Sequence, residues 1–331
     1  LSFRPRLQVV ISTERSEWRN LHTIMKVLVA TEKPFSKVAV DGIRKIVEAA
    51  GYEFATLEKY TSNDELLAAV ADVDALIVRS DKVTREVVDA AKNLKIVVRA
   101  GAGYDNLDLA ACTERGIVAM NTPGQNANAV AELAIAFMLF MSRNHFNPGT
   151  GCELKGKTLG IQAFGNIGRR VSVLAKGFGM DVLVYAPTAP AQVIADYGVT
   201  VANTLEELFE KSDFLTLHIP ANEKTKGLIG YDLVSRMPKG ACLVNTARKE
   251  VINEEGLIKA LKEREDLKYI TDVPTANHAA MAEEFGKRVF GTPKKMGAET
   301  GEANVNAGLA AANQIVDFFT TGNTKFQVNK Q

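Results

Sequence analysis

The sequence is poor in cysteine and tryptophan, has almost no net charge and lacks a long apolar run. Its 331 residues include three cysteines and one tryptophan. Cys112, Cys152 and Cys242 are odd in number, far apart and without metal-ligand spacing, so neither a disulfide framework nor a metal site is expected. A reducing, cytoplasmic setting is the simplest reading. Cys242 falls in an apolar, strand-like run and reads as core rather than nucleophile. Forty basic residues against 39 acidic ones leave no charge surplus for nucleic acid or an anionic membrane. An anionic substrate must therefore be held by a local cluster. The longest apolar run, Ala127 to Met141, contains Asn128 and Glu132 and is shorter than the roughly 18 residues of a membrane span. It reads as a buried or interfacial helix.

What is present is an ordinary globular composition, 46% hydrophobic and 24% charged. The length suggests two domains of about 100–200 residues each. Residues 1–24 stand apart, with Arg4, Arg6, Arg15 and Arg19 among serines, but also Glu14 and Glu17. They read as an extension outside the fold; organelle targeting is the lesser reading, because transit peptides are poor in acids. From Met25 onward strand and helix patterns alternate, which predicts an α/β fold of doubly wound parallel sheets. Pro123 and Gly124 mark a boundary, followed by one long helix to Arg143. An Ala-rich helix over about 300–319 closes the pattern.

The stretch Lys157 to Pro187 reads as strand, tight turn, helix and strand. Ile167, Val171, Leu174 and Phe178 recur at helical spacing and predict one apolar face. At a strand-to-helix turn, glycines let a pyrophosphate approach backbone N–H groups at the helix N-terminus. Gly165 and Gly168 fill the second and third glycine places of the dinucleotide fingerprint, and Ala163 stands at the first. Asn166 and Ile167 lie between the two glycines. About 20 residues on, an NAD site usually carries an acid for the ribose 2′-hydroxyl. Here that place holds Tyr185, Ala186 and Pro187, so weakened discrimination between NAD and NADP is expected.

Ligands of open α/β sheets bind beyond the carboxyl ends of the strands. Two predicted strands end in arginine, at Arg79–Ser80 and Arg99–Ala100–Gly101. Two guanidinium groups beside a Gly-rich loop make a cradle for carboxylate or phosphate.

The segment 96–134, IVVRAGAGYDNLDLAACTERGIVAMNTPGQNANAVAELA, resembles the D-2-hydroxyacid dehydrogenase family, and within it the D-3-phosphoglycerate dehydrogenases. So do LIVRSDKVT at 76–84, KGKTLGIQAFGNIG at 155–168, LVNTARKEVINEEGL at 243–257 and VFGTPKKMGAET at 289–300. The resemblance implies two interleaved domains: a flavodoxin-like catalytic domain over 25–122, completed by 297–331, and a Rossmann cofactor domain over 123–296. It implies NAD as cofactor, with NADP possible, and a homodimer paired through the cofactor domains. The chain ends about ten residues after its last predicted helix, so serine feedback through an added sensing domain is not expected.

By the same resemblance, Arg79, Ser80, Arg99, Ala100 and Gly101 bind substrate. Arg248 binds the substrate carboxylate, and its planar fork suits that group better than lysine would. Asp272 matches an acid near the nicotinamide amide. His218, Ile219, Pro220, Thr225, Thr246 and Ala247 match loops along the cofactor. The catalytic pair departs from the family pattern. Asn277 stands near the place of the usual Glu, and Lys294 and Lys295 follow Thr292–Pro293 where a His is usual. Lysine is already cationic at neutral pH, and a nearby carboxylate would make its proton harder to release. Loss of the Glu and gain of the Lys are thus consistent changes. His278, beside the lost Glu place, reads as structural or exposed. Glu283 and Glu284 read as a solvated helix face.

These residues lead to an expected NAD-dependent oxidation of 3-phosphoglycerate to 3-phosphohydroxypyruvate, the entry step to serine. A reductase of glyoxylate, hydroxypyruvate or another 2-oxo acid, and a non-enzymatic dinucleotide-sensing corepressor, are the alternatives.

Overall fold

Runs of aliphatic and β-branched residues, separated by capped helices, assemble into two parallel sheets in the computed structural model, which describes residues 24–330. All but the last residue of the expected N-terminal extension lies outside the described residues. The first sheet has five strands in the order β2-β1-β3-β4-β5. These are β1 (Lys26–Thr31), β2 (Glu53–Glu58), β3 (Ala75–Val78), β4 (Ile96–Arg99) and β5 (Val118–Asn121). Helices α1 (Lys37–Ala49), α2 (Asn63–Val70), α3 (Arg85–Ala90) and α4 (Leu109–Glu114) connect them. Each connecting helix starts on a side-chain cap: Ser36, Ser62, Thr84 and Asp108. Ser62 and Glu65 form a reciprocal capping box. In β3 and β4 all but the terminal Arg99 are buried, as expected of strands covered on both faces.

Helix α5 (Ala127–Ser142) then crosses to the second sheet. That sheet is built from β6 (Thr158–Gln162), α6 (Asn166–Gly177), β7 (Asp181–Tyr185), α7 (Ala191–Asp196), β8 (Thr200–Val201), α8 (Leu205–Glu210) and β9 (Phe214–Leu217). It continues through α9 (Tyr231–Val234), β10 (Cys242–Asn245), α10 (Glu254–Glu263), β11 (Lys268–Thr271), α11 (His278–Phe285) and β12 (Val289–Gly291). The strand order is β12-β11-β10-β9-β6-β7-β8, all parallel, so the order reverses between β6 and β9. Cys242 is buried in β10 as expected; Cys112 is also buried, Cys152 is exposed, and none is paired.

The last helix, α12 (Gly301–Thr321), returns to the first sheet. Its Ala307, Ala311, Ala312 and Ile315 share a core with Val27, Ile77 and Val98. Beyond it, Asn329 Oδ1 accepts the Ala119 N–H at 3.0 Å and its Nδ2 donates to the Ile117 carbonyl at 2.9 Å, clamping the tail to β5.

One local expectation changes. Of the apolar face expected for α6, Val171 is buried and Ile167 and Leu174 pack against the same core, but Phe178 is 42% exposed; Gly168, Ser172 and Ala175 are buried as well, because small side chains let α6 approach the alanine-rich α5 closely. Helix α9 stops at Val234, and Pro238 and Gly240 lead the chain into β10. No helix among the described residues is long and apolar enough to cross a membrane.

Candidate active site

The carboxyl ends of both sheets open on one cleft of about 680 Å³. From the first lobe it is walled by Arg79, Ser80, Arg99 and the loop 100–105. From the second come Thr246, Arg248, Asp272 and Lys294–Lys295. Every residue of the predicted substrate cradle is therefore in the wall, together with both candidate lysines.

Arg99 ends β4 and folds back over its own loop. A side chain at Gly101, where φ is +155°, would collide with the Arg99 guanidinium, so this approach requires glycine. Arg99 Nε donates to the Arg79 carbonyl at 3.0 Å. Burial lowers the Arg99 pKa, Asp105 opposes that, and Arg248 and Arg79 add to it. Arg79 is more engaged than a free anion receptor would be. It donates to the carbonyls of Lys33 (3.0 Å) and Pro34 (3.3 Å) and to Asn304 Oδ1 (2.5 Å) on α12. Its guanidinium also lies over the Phe35 ring.

Arg248 follows β10 in a short loop fixed by Asn245. Asn245 Oδ1 accepts the Ala247 N–H at 3.0 Å and Nδ2 donates to the Arg248 carbonyl at 3.1 Å. Arg248 donates one N–H to the Ala247 carbonyl and sends Nη2 toward Gly103. Lys294 and Lys295 stand on the turn after β12, which is closed by Thr292 Oγ1 donating to the Lys294 carbonyl at 2.8 Å. Lys295 is an exposed residue that also lines the cleft. Desolvation lowers its pKa, Arg248 and Arg99 lower it further, and Asp272 and Asp105 partly restore it. Two guanidinium groups and two carboxylates thus act on one amine.

Asn277 is not in the cleft. It starts α11 on the surface, with its N–H and Nδ2 donating to Glu254 at 3.0 and 2.9 Å. His278 is buried rather than exposed; neither ring nitrogen has a partner, and burial lowers its pKa.

The predicted dinucleotide residues lie at the carboxyl ends of adjacent strands. Gly165 to Gly168 follow β6, Tyr185 ends β7 with Ala186 and Pro187 beyond it, and His218 to Pro220 follow β9. Ile167 also reaches the cleft wall. Ala163 holds the first glycine place with φ +74°, a left-handed backbone that costs a non-glycine residue roughly 1–3 kcal/mol. The turn keeps its shape despite the alanine. A Cβ at Gly165 would meet nothing within 4 Å, whereas one at Gly168 would collide with the Ala163 carbonyl. Open space at the second glycine and tight packing at the third are what a pyrophosphate at the α6 N-terminus needs. Thr246 Oγ1 and Asp272 Oδ1, both buried and without protein partners, add polar atoms fit for a nicotinamide end. His218 accepts or donates to Thr216 Oγ1 at 3.1 Å, and burial pushes its pKa down to about 3. The Thr225 hydroxyl closes the loop after β9 by donating to the Pro220 carbonyl.

Sequence reasoning passed over Asp105 and Asn304. Asp105 stood in plain view in the Gly-rich loop, but Asn304 meets Arg79 across 225 residues and leaves no local signal. No group of three or more metal-ligating side chains occurs among the described residues.

The family model described as D-isomer specific 2-hydroxyacid dehydrogenase, NAD binding domain, matches residues 133–293. A D-3-phosphoglycerate dehydrogenase from Methanocaldococcus jannaschii is 38% identical over 83% of this chain and 55% of its own length. A hydroxypyruvate reductase from Thermotoga maritima is 41% identical over 62% of this chain and 70% of its own. The chain thus spans about half the length of the phosphoglycerate dehydrogenase relative. An NAD-bound crystal structure of a 3-phosphoglycerate dehydrogenase from Entamoeba histolytica superposes with a TM-score of 0.83 at 51% identity, covering 93% of this chain and 99% of the other. The chain belongs to the D-isomer-specific 2-hydroxyacid dehydrogenase family, and its second lobe is that family's NAD-binding domain.

Proposed function

We propose that this family member oxidises 3-phosphoglycerate to 3-phosphohydroxypyruvate with NAD. The observation that carries this is the convergence of Arg79, Arg99, Arg248 and Lys295 on one cleft whose other wall is the NAD-binding lobe. Bound NAD supplies the hydride acceptor for C2. Arg248 receives the substrate carboxylate and steadies negative charge growing on the C2 oxygen. The neutral amine of Lys295 accepts the C2 hydroxyl proton, and in the reverse direction its ammonium returns it. Lys295 is preferred to Lys294 because its charge is coupled to Arg248, Arg99, Asp272 and Asp105. Arg99 and Arg79 attract the phosphate end. The two lobes divide near 122/123 and 296/297, and closure between them keeps water from the reacting carbon. Pairing of two copies through the cofactor lobes is the assembly this reading carries with it.

A hydroxypyruvate reductase is the second reading. The hydroxypyruvate reductase among the relatives favours it, and so do the three protein acceptors that already engage Arg79. Arg79→Ala and Arg99→Ala, assayed with NADH, separate the two. Each substitution should raise KM for phosphohydroxypyruvate about tenfold or more, the worth of one hydrogen bond to a charged group, and leave KM for hydroxypyruvate nearly unchanged. Equal effects on both substrates would favour the second reading.

A further inference from the structure

The Asp272 carboxylate faces two ways. The residue is fully buried at the end of β11. Its Oδ2 accepts the backbone N–H groups of Met296 (3.1 Å) and Gly297 (2.7 Å), the two residues that follow Lys295. A Cβ at position 297 would stand 3.0 Å from Oδ2, so the approach is close. Its Oδ1 is buried, has no protein partner and belongs to a residue of the cleft wall. A buried acceptor without a donor costs roughly 1–3 kcal/mol, and more when it is charged. Oδ1 is therefore suited to a donor arriving from the cleft, and a carboxamide N–H of the nicotinamide is one. With Oδ1 unheld, the carboxylate is restrained through Oδ2 alone; a donor on Oδ1 restrains it through both oxygens.

We propose that Asp272 is a positioning residue that couples occupancy of the cofactor site to the placement of Lys295. A donor on Oδ1 fixes the carboxylate, Oδ2 fixes the amides of Met296 and Gly297, and these fix the turn that carries the amine. Lys295 is then held most firmly among Arg248, Arg99, Asp272 and Asp105 when a hydride acceptor is in place. The groups that set its charge state are Arg248 and Asp272 on its own lobe and Arg99 and Asp105 across the cleft; Lys294 and Glu299 are the charged neighbours on its own loop. This inference rests on the dehydrogenase reading above.

Two readouts test it without turnover: amide hydrogen exchange at Met296 and Gly297, and the pH dependence of Lys295 acylation, each with and without saturating NADH. In the wild type, NADH should slow exchange at both amides about tenfold and move the acylation midpoint. Asp272→Asn keeps an acceptor for the two amides but not a charged Oδ1. Its exchange without NADH should stay within about threefold of wild type, its NADH-induced changes should vanish, and NADH should bind roughly tenfold more weakly. If NADH binds the wild type and alters neither readout, or if Asp272→Asn keeps the full response, the coupling is wrong and the dehydrogenase reading survives. Failure of NADH to bind the wild type would remove both.

Discussion

An ammonium group crowded by two guanidinium groups and drawn partly out of water is easier to deprotonate than one on an open surface. Lys295 is in that position. Its lowered pKa brings the neutral amine, which oxidation of an alcohol requires, closer to physiological pH. Oxidation should therefore speed up as pH rises through the lowered pKa, and reduction should slow over the same range. Lys295→Ala should lower kcat about 100-fold or more in both directions and flatten both profiles, while Lys294→Ala should change kcat less than about threefold. Steady-state rates across pH 6–10 check this, and the opposite ranking would make Lys294 the proton carrier. The sequence narrowed the choice to two adjacent lysines and stopped there. Which one sits among Arg248, Arg99, Asp272 and Asp105 is decided by three separate strand ends meeting, which no local pattern encodes. Ala163 shows the reverse case: its side chain departs from the glycine fingerprint, yet its backbone keeps the left-handed turn, so the motif was legible despite the substitution.

Elements were legible where period and caps agreed. The buried strand β3 and β4 up to Arg99 are continuous apolar runs, and Asp108 and Asn253 announce α4 and α10. They were less legible where a long-range contact decides the packing face, as for α6 against α5. One such contact lies at the end of α10. Arg264 pairs with Asp266 through Nε–Oδ1 (2.9 Å) and Nη2–Oδ2 (2.7 Å) and donates to the carbonyls of Ser235, Met237 and Pro238. Asp266 Oδ2 also accepts the Gly240 N–H at 2.7 Å. The pair holds the Asp266 carboxyl well below its usual 3.8. A depressed carboxyl stabilises the fold above its unfolded pKa and ceases to do so as pH falls through the folded one. Asp266→Ala should therefore lower unfolding free energy by about 1–2 kcal/mol at pH 7 in urea titrations. An unchanged midpoint would show that the Arg264 fork holds the α10 terminus unaided.

Across the whole molecule, three histidines from different parts of the second lobe, His145, His218 and His278, are all shifted toward neutrality by burial. For a histidine with a lowered folded pKa, the unfolded chain binds more protons once pH drops below about 6.5. The native state is then at full advantage above that value and loses ground as pH falls toward the folded pKa. His218, which burial pushes down to about 3, should account for the largest part of that loss. Urea midpoints should fall from pH 7.5 to 5, and His218→Gln should make the decline shallower; an identical slope would show that His218 is hydrated in the native state. The two-sheet layout was legible as a whole because its repeating strand–helix alternation is a local property. The meeting of Arg79 with Asn304 was not, because it needs α12 to come back to the first lobe. That return has a consequence for biosynthesis. A ribosome releases the second sheet before it releases α12, so β6 to β12 can consolidate while the earlier-made half still waits for Ala307, Ala311 and Ile315 to cover it. Maturation of this protein should run from the middle of the chain outward, against the usual order in which the first-made half folds first.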